Sequence, residues 1–205
     1  MYMPDQFKET RLDRISDLIE SHPFAMLLTV AEGEPFVSYL PMLFDGAAGS
    51  KGRLLGHMAR SNPQWRHLAA GSDVQVIFQG PHAYVSPSWY ASPGVPTWNY
   101  AVVHLRGRPC LVEDEAELES LIERHTRIFE SRQPNPWQPD LSGDRRTRLL
   151  NMIVGFSIEV TDAEGKFKLS QNRSAEDRQA VIEQLSRSGD QIEAEVARLM
   201  VEREV

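Results

Sequence analysis

Phe24-Ala25-Met26-Leu27-Leu28-Thr29-Val30, Ala31-Glu32-Gly33-Glu34-Pro35 and the run from Phe36 to Phe44 follow one another without a break. Two apolar, β-prone runs joined by a short segment holding glycine and proline read as an antiparallel hairpin. Upstream, Leu12, Ile15, Leu18 and Ile19 recur at helical spacing, so residues 10–21 read as an amphipathic helix stopped by His22-Pro23. Downstream, Asp45 to Gly52 is a flexible tip and Arg53 to Ala59 returns as a third strand. Asn62-Pro63 reads as a capped start of a short helix through Trp65 and Leu68 that ends near Gly71. Val74–Gln79 and Tyr84–Ser86 read as two strands, and Trp98–Val112 as a long one. Asp114 caps a helix carrying Leu118, Leu121, Ile122, His125 and Phe129 on one side. After the proline-rich loop Gln133–Trp137, Arg145–Asn151 reads as helix and Ile153–Val160 as strand. Ser174-Ala175-Glu176-Asp177 resembles a capping box with Asp in place of Glu. Two helices, one to about Arg187 and one from about Asp190 to the end, complete the chain. Strands in antiparallel sequence with short turns, and helices inserted or appended, predict an α+β fold around a closed or sandwiched β core. There is no βαβαβ rhythm.

The chain has 205 residues, 41% hydrophobic and 25% charged, enough for a domain with its own core. No apolar run approaches the roughly 18–20 residues that span a bilayer. The first residues, Met1 to Phe7, lack the basic and apolar stretches of a signal peptide. Cys110 is the single cysteine, so no disulfide forms within the chain, which fits a reducing, cytoplasmic setting. Its apolar strand context predicts a small buried residue. The net charge is −7. Direct DNA binding calls for a dense stripe of Lys and Arg, and the richest cluster, Asp144-Arg145-Arg146-Thr147-Arg148, reads as a solvated helix face.

Common catalytic signatures are missing. Gly46 to Gly52 fails the P-loop spacing because Gly52 follows Lys51, and no GxGxxG or GxSxG is present. The six histidines, His22, His57, His67, His82, His104 and His125, show no metal-ligand pairing, so no metal site is expected. Four segments are less generic. In Gly56-His57-Met58-Ala59-Arg60-Ser61-Asn62-Pro63-Gln64-Trp65 a strand delivers an arginine to a capped helix start, a natural place for an anion. Phe78–Tyr90 and Val95–His104 interleave Tyr84, Trp89, Tyr90, Trp98 and Tyr100 with Ser, Thr, Asn and His. That mixture suits a planar heteroaromatic ligand, a subunit interface or an aromatic core. In Glu164-Gly165-Lys166-Phe167-Lys168-Leu169-Ser170-Gln171-Asn172-Arg173 the lysines alternate with apolar residues, so on a strand they share one face, read as solvated.

These four segments in this order, with the opening Met1-Tyr2-Met3-Pro4-Asp5-Gln6-Phe7, resemble the signature blocks of the PaiB family from Met1 to about Arg173. The resemblance implies a split β-barrel of the FMN-binding type, related to pyridoxamine-phosphate oxidase, with peripheral and C-terminal helices. Residues 1–173 would form the barrel domain and residues 174–205 a helical appendage of it. It also implies a homodimer with FMN held between subunits. By likeness, His57 and Arg60 approach the FMN phosphate, and Val37, Ser38 and Tyr39 lie along the isoalloxazine ring. Trp98 and Asn99 stand near the ring, and Lys168 and Gln171 contact phosphate or ribityl, with Lys166 or Lys168 as a second cation. The family function is negative regulation of transcription, which the acidic balance suggests is indirect. The alternatives are an FMN-dependent oxidoreductase, with His82, His104 and Tyr84 as candidate proton donors, and a haem-binding or haem-degrading protein.

Overall fold

The computed structural model describes residues 1–138 and 143–203. In chain order its elements are β1 (Lys8–Glu9), α1 (Leu12–Ser21), β2 (Phe24–Ala31), β3 (Glu34–Asp45), β4 (Arg53–Ala59), α2 (Trp65–Ala69), β5 (Val74–Val85), β6 (Thr97–Val112), α3 (Glu115–Glu130), α4 (Gly143–Leu150), β7 (Ile153–Lys168), α5 (Ala175–Ser186) and α6 (Gln191–Glu202). The strands form one sheet in the order β1-β7-β4-β3-β2-β5-β6, and an additional pairing of β6 with β7 closes it. The expected α+β antiparallel barrel is therefore present. Glu204 and Val205, the end of the last expected helix, lie outside the described residues.

The chain divides into two compact units. One comprises Pro23–Ile77 and Leu105–Ala163, the other Met1–His22, Phe78–His104 and Glu164–Val205.

In the first of these, β2 and β3 pair from Phe24↔Pro41 to Ala31↔Glu34. The turn is therefore only Glu32-Gly33, both at positive φ (54° and 86°), as a two-residue hairpin turn of this twist requires. It is tighter than the five-residue turn predicted, and Pro35 belongs to the strand. Leu27, Leu54, Val76, Phe156 and Ile158 face inward and are buried. Gly56 lies under the Phe156 ring, 2.6 Å from where a Cβ would stand. Gly107 meets the Glu159 main chain so closely that any side chain there would clash with its carbonyl. That contact lets β6 approach β7. Cys110 is exposed, not buried as expected. On β6 the inward positions are 101, 103, 105 and 107, and Cys110 has the outward parity. Asp114 caps α3 as predicted, its Oδ1 accepting from Glu117 N–H at 2.9 Å. Arg146 is not simply solvated, because it pairs with Glu119 and Glu115 of α3.

Between α3 and β4, the His125 and His57 rings meet edge to face with centroids 5.3 Å apart. His125 Nδ1 bonds the Leu121 carbonyl at 2.9 Å, whereas His57 Nδ1 is buried without a partner. Burial, and then the charge of His125, hold the His57 imidazolium down at about 4, from the ordinary 6.5. Burial lowers His125 as well.

In the other unit, β5 runs unbroken through Gly80-Pro81, where two strands were expected. Gly80 packs tightly against Leu18 and the Ala101 carbonyl, where a Cβ would stand 2.8 Å from Leu18 Cδ1 and 3.1 Å from the carbonyl oxygen. β7 likewise continues to Lys168, eight residues beyond the predicted end at Val160. Glu9 is buried. Its carboxylate accepts from the Thr10 and Arg11 N–H groups and pairs with Arg14 and Arg203, tying α1 and α6 to β1. Ser174 caps α5 through Asp177 N–H at 3.1 Å. Asp177 does not close a capping box. Its buried carboxylate accepts instead from Ala91 N–H at 2.8 Å and from Ser92 Oγ at 2.5 Å. These bonds fix the loop before β6.

Two stability predictions follow from this packing. Gly107→Ala should lower the unfolding free energy by about 2–3 kcal/mol through the clash at the barrel closure. Gly33→Ala, in open space but at positive φ, should cost only about 1 kcal/mol. Urea unfolding of both variants distinguishes steric from conformational strain. Because the folded His57 binds its proton less readily than the unfolded chain does, its contribution to stability is present above pH 6.5 and is lost as pH drops toward 4. The loss between pH 7.5 and 4.5 should be on the order of 2 kcal/mol, and His57→Gln should flatten that part of the pH–stability curve.

Candidate functional site

β3 changes neighbour halfway along its length. Glu34–Pro41 pair with β2, whereas only Met42–Asp45 pair with β4, against Arg53–Gly56. β4 in turn pairs with β7 over its whole length, from Arg53↔Glu159 to Ala59↔Ile153. The first half of β3 and the end of β4 thus share no ladder, and the sheet is split there.

Val37, Ser38 and Tyr39 lie on this half of β3. Val37 and Tyr39 are 44% and 60% exposed, and Tyr39 stacks on Phe24 with centroids 6.1 Å apart. Ser38 Oγ accepts from Asn62 Nδ2 at 2.8 Å. Gln64, wholly buried, places Nε2 2.9 Å from the Leu27 carbonyl and 3.1 Å from both Thr29 Oγ1 and the Phe36 carbonyl. Its Oε1 has no hydrogen-bond partner. Asn62 and Gln64 are thus the side chains that fasten the split, and sequence reasoning assigned them only to a helix start. In fact Asn62 Oδ1 accepts from Gln64 N–H at 3.0 Å in a turn ahead of α2, which begins at Trp65. So short a helix offers no anion cradle at its N-terminus.

Arg60 brings a positive charge to this corner. Its Nε donates to the Asn151 carbonyl at 2.8 Å and its Nη2 to the Ile153 carbonyl at 2.9 Å, while Trp65 Nε1 donates to the Arg60 carbonyl at 3.0 Å. Arg60 and Trp65 line a cleft of about 380 Å³ together with Leu111, Val112, Leu150, Val154 and the acidic Glu113 and Glu115. The His57 ring lies against His125, as described above.

Trp98, Asn99, Lys168 and Gln171 belong to the other unit. Trp98 is 53% exposed, with His82 and Tyr84 at centroid distances of 6.2 and 5.9 Å. Asn99 is fully buried. Its Nδ2 donates to Ser170 Oγ at 2.9 Å and approaches Met200 Sδ at 3.4 Å. Gln171 closes a tight turn: its Oε1 accepts from Leu169 N–H at 2.6 Å and its Nε2 donates to the Phe167 carbonyl at 2.5 Å. Ser170 in that turn has φ of 64°. Lys168 Nζ donates to Thr97 Oγ1 at 2.6 Å and to the Trp98 carbonyl. Burial, and then the charge of Lys166, lower its pKa. The lysine face read as solvated is therefore largely covered.

Residues 1–162 match a family model described as "Putative FMN-binding domain". Over 208 aligned residues the chain is 38% identical to the protease synthase and sporulation protein PAI 2 of Bacillus subtilis, covering 99% of this chain and 98% of that one. Among solved structures, the FAD and heme binding protein of Mycobacterium smegmatis has a TM-score of 0.63 at 18% identity, over 85% of this chain and 79% of that one. The flavocytochrome Anf3 of Azotobacter vinelandii has a TM-score of 0.60 at 15% identity, over 78% and 69%. These two likenesses concern the fold. With its split antiparallel barrel, the family match and a relative aligned end to end, the chain belongs to the PaiB family of FMN-binding proteins, and FMN is its cofactor.

Proposed function

We propose that this protein is a homodimer whose FMN lies along the open half of β3, and that it represses transcription indirectly, through its flavin, in the cytoplasm. The observation that carries the reading is the change of partner along β3. Residues 37–39 are paired on the β2 side alone, so their remaining main-chain groups alternate donor and acceptor along an edge. The pyrimidine end of a flavin alternates in the same way, and the flanking Val37 and Tyr39 side chains are exposed apolar surface. Arg60 has N–H groups beyond the two used on Asn151 and Ile153, and these suit a phosphate. In this reading Asn62 holds Ser38 in place, while Asn99 and Gln171 shape the turn that carries Lys168. Bound FMN supplies the redox chemistry. The protein's own groups bind it, orient it and keep water from the ring.

The dimer is supported by the exposed aromatic face of His82, Tyr84 and Trp98, of a kind that subunit contacts bury. Indirect regulation is supported by the net charge of −7 and by the printed name of the Bacillus relative, which refers to protease synthesis and sporulation. The same aromatic face favours a second reading, an FMN-dependent oxidoreductase. In that case the His82 imidazole and the Tyr84 phenol, both beside Trp98, are the candidate proton donors.

Titration with FMN and with riboflavin, followed by flavin fluorescence and calorimetry, tests the site. Wild type should bind FMN more tightly than riboflavin, and Arg60→Ala should weaken FMN by about tenfold while leaving riboflavin unchanged. Equal weakening of both flavins would remove Arg60 from the phosphate site. Sedimentation should give a dimer for wild type and a monomer for Trp98→Glu; a wild-type monomer would end the dimer reading.

A further inference from the structure

The cleft of about 380 Å³ beside Arg60 lies within one compact unit, since every residue lining it belongs to Pro23–Ile77 or Leu105–Ala163. Its volume falls at the lower end of the roughly 300–1,000 Å³ of small-molecule sites. The flavin reading uses the arginine at this cleft and nothing else in it. Leu118, Leu150 and Val154 are buried and Val112 is half-buried, which makes the walls apolar. Trp65 adds an aromatic ring that is held in place. Its Nε1 donates to the Arg60 carbonyl at 3.0 Å, and the Arg66 guanidinium lies 5.1 Å from the ring centroid.

The polar groups on the same cleft are of three kinds. Arg60 carries positive charge, Glu113 and Glu115 carry negative charge, and Asn151 is neutral. Glu115 lies 3.6 Å from Arg146, whereas Glu113 stands at an exposed position. Asn151 holds Arg60 through its main-chain carbonyl, and its carboxamide offers a donor and an acceptor side by side. Two carboxylates repel a polyanion from the cleft, and the guanidinium repels a cation. A pure hydrocarbon leaves all of these groups unused. The lining therefore suits a neutral body with a flat apolar face, hydroxyl groups and ring nitrogens, joined to an anion that stays at Arg60.

We propose that this cleft takes the adenosine part of an adenine nucleotide whose phosphate end is held by Arg60. A purine stacks on an aromatic ring such as Trp65, a carboxylate such as Glu113 accepts from ribose hydroxyls, and a carboxamide such as that of Asn151 matches the amino and ring-nitrogen edge of adenine. The inference rests on the reading of Arg60 as a phosphate contact and extends it, because FMN ends at its phosphate and has no nucleoside to place beyond it. The same chemistry has two sources. One is FAD, in which adenosine monophosphate follows the flavin phosphate. The other is a separate adenine nucleotide that takes Arg60 in competition with FMN.

The test is calorimetric titration of the flavin-free, full-length protein with FMN, with FAD and with AMP. If FAD is the source, wild type should bind it about tenfold more tightly than FMN, the order that one stacked base contributes. Val112→Trp, which fills the cleft, should remove that advantage and leave FMN binding unchanged. Glu113→Ala, at an exposed position where folding is not at stake, should reduce it about threefold. If a separate nucleotide is the source, AMP should raise the apparent dissociation constant of FMN, and the same two variants should weaken AMP. FAD binding no more tightly than FMN, together with no competition by AMP, overturns the proposal. So does a FAD advantage or an AMP competition that survives both variants. The flavin reading fails on a different result, the equal weakening of FMN and riboflavin by Arg60→Ala.

Discussion

Main-chain hydrogen bonding along β3 is the constraint on which the rest of the barrel depends. A strand inside a sheet ordinarily keeps both neighbours. This one exchanges β2 for β4 near Pro41 and Met42, and two prolines, Pro35 and Pro41, remove donors from the half that is left with one neighbour. An edge opened in this way needs something to hold it apart and satisfy it in part. The amides of Asn62 and Gln64 do so, reaching Ser38, Leu27, Thr29 and Phe36 from the short segment that leads into α2. That segment follows β4 directly, and Arg60 at its head is held separately, by the Asn151 and Ile153 carbonyls.

The hairpin, the third strand, the capped α3 and the C-terminal helices were legible in the sequence because each follows local rules of periodicity and capping. The misreadings share a different cause, tertiary context overriding a local signal. Gly80-Pro81 looks like a break, yet β5 passes through it, with Gly80 packed against Leu18 and the Ala101 carbonyl. Asp177 looks like half of a capping box, but its carboxylate is taken by Ala91 and Ser92, more than eighty residues earlier. Cys110 looks buried by composition and is outward by parity. Of the nine site residues named from resemblance, Val37, Tyr39, Arg60, Trp98 and Lys168 present surface or charge. Asn99 and Gln171 act inside the protein, a distinction that no pattern of residue types conveys.

Charge is unevenly managed across the molecule. Arginine, used 18 times, forms most of the ion pairs among the described residues, as with Arg146 on Glu119 and Arg203 on Glu9. Its planar fork suits fixed pairing. Lysine is used only four times, and Lys166 and Lys168 are held by carbonyl and hydroxyl oxygens. Histidine, at the His57–His125 contact, is held neutral by burial.

The pairing of β4 with β7 has a consequence for how the chain is made. Arg53–Ala59 must wait for Ile153–Glu159, about a hundred residues later, before one side of β4 is covered. Pairing at such separation is slow to form, and during synthesis an uncovered strand edge is a place where a second nascent chain can add. The hairpin of β2 and β3 is complete long before then. Growth of the chain therefore passes through a stage at which a finished hairpin and an uncovered β4 coexist, and the protein's vulnerability to misassembly is concentrated in the interval before β7 emerges.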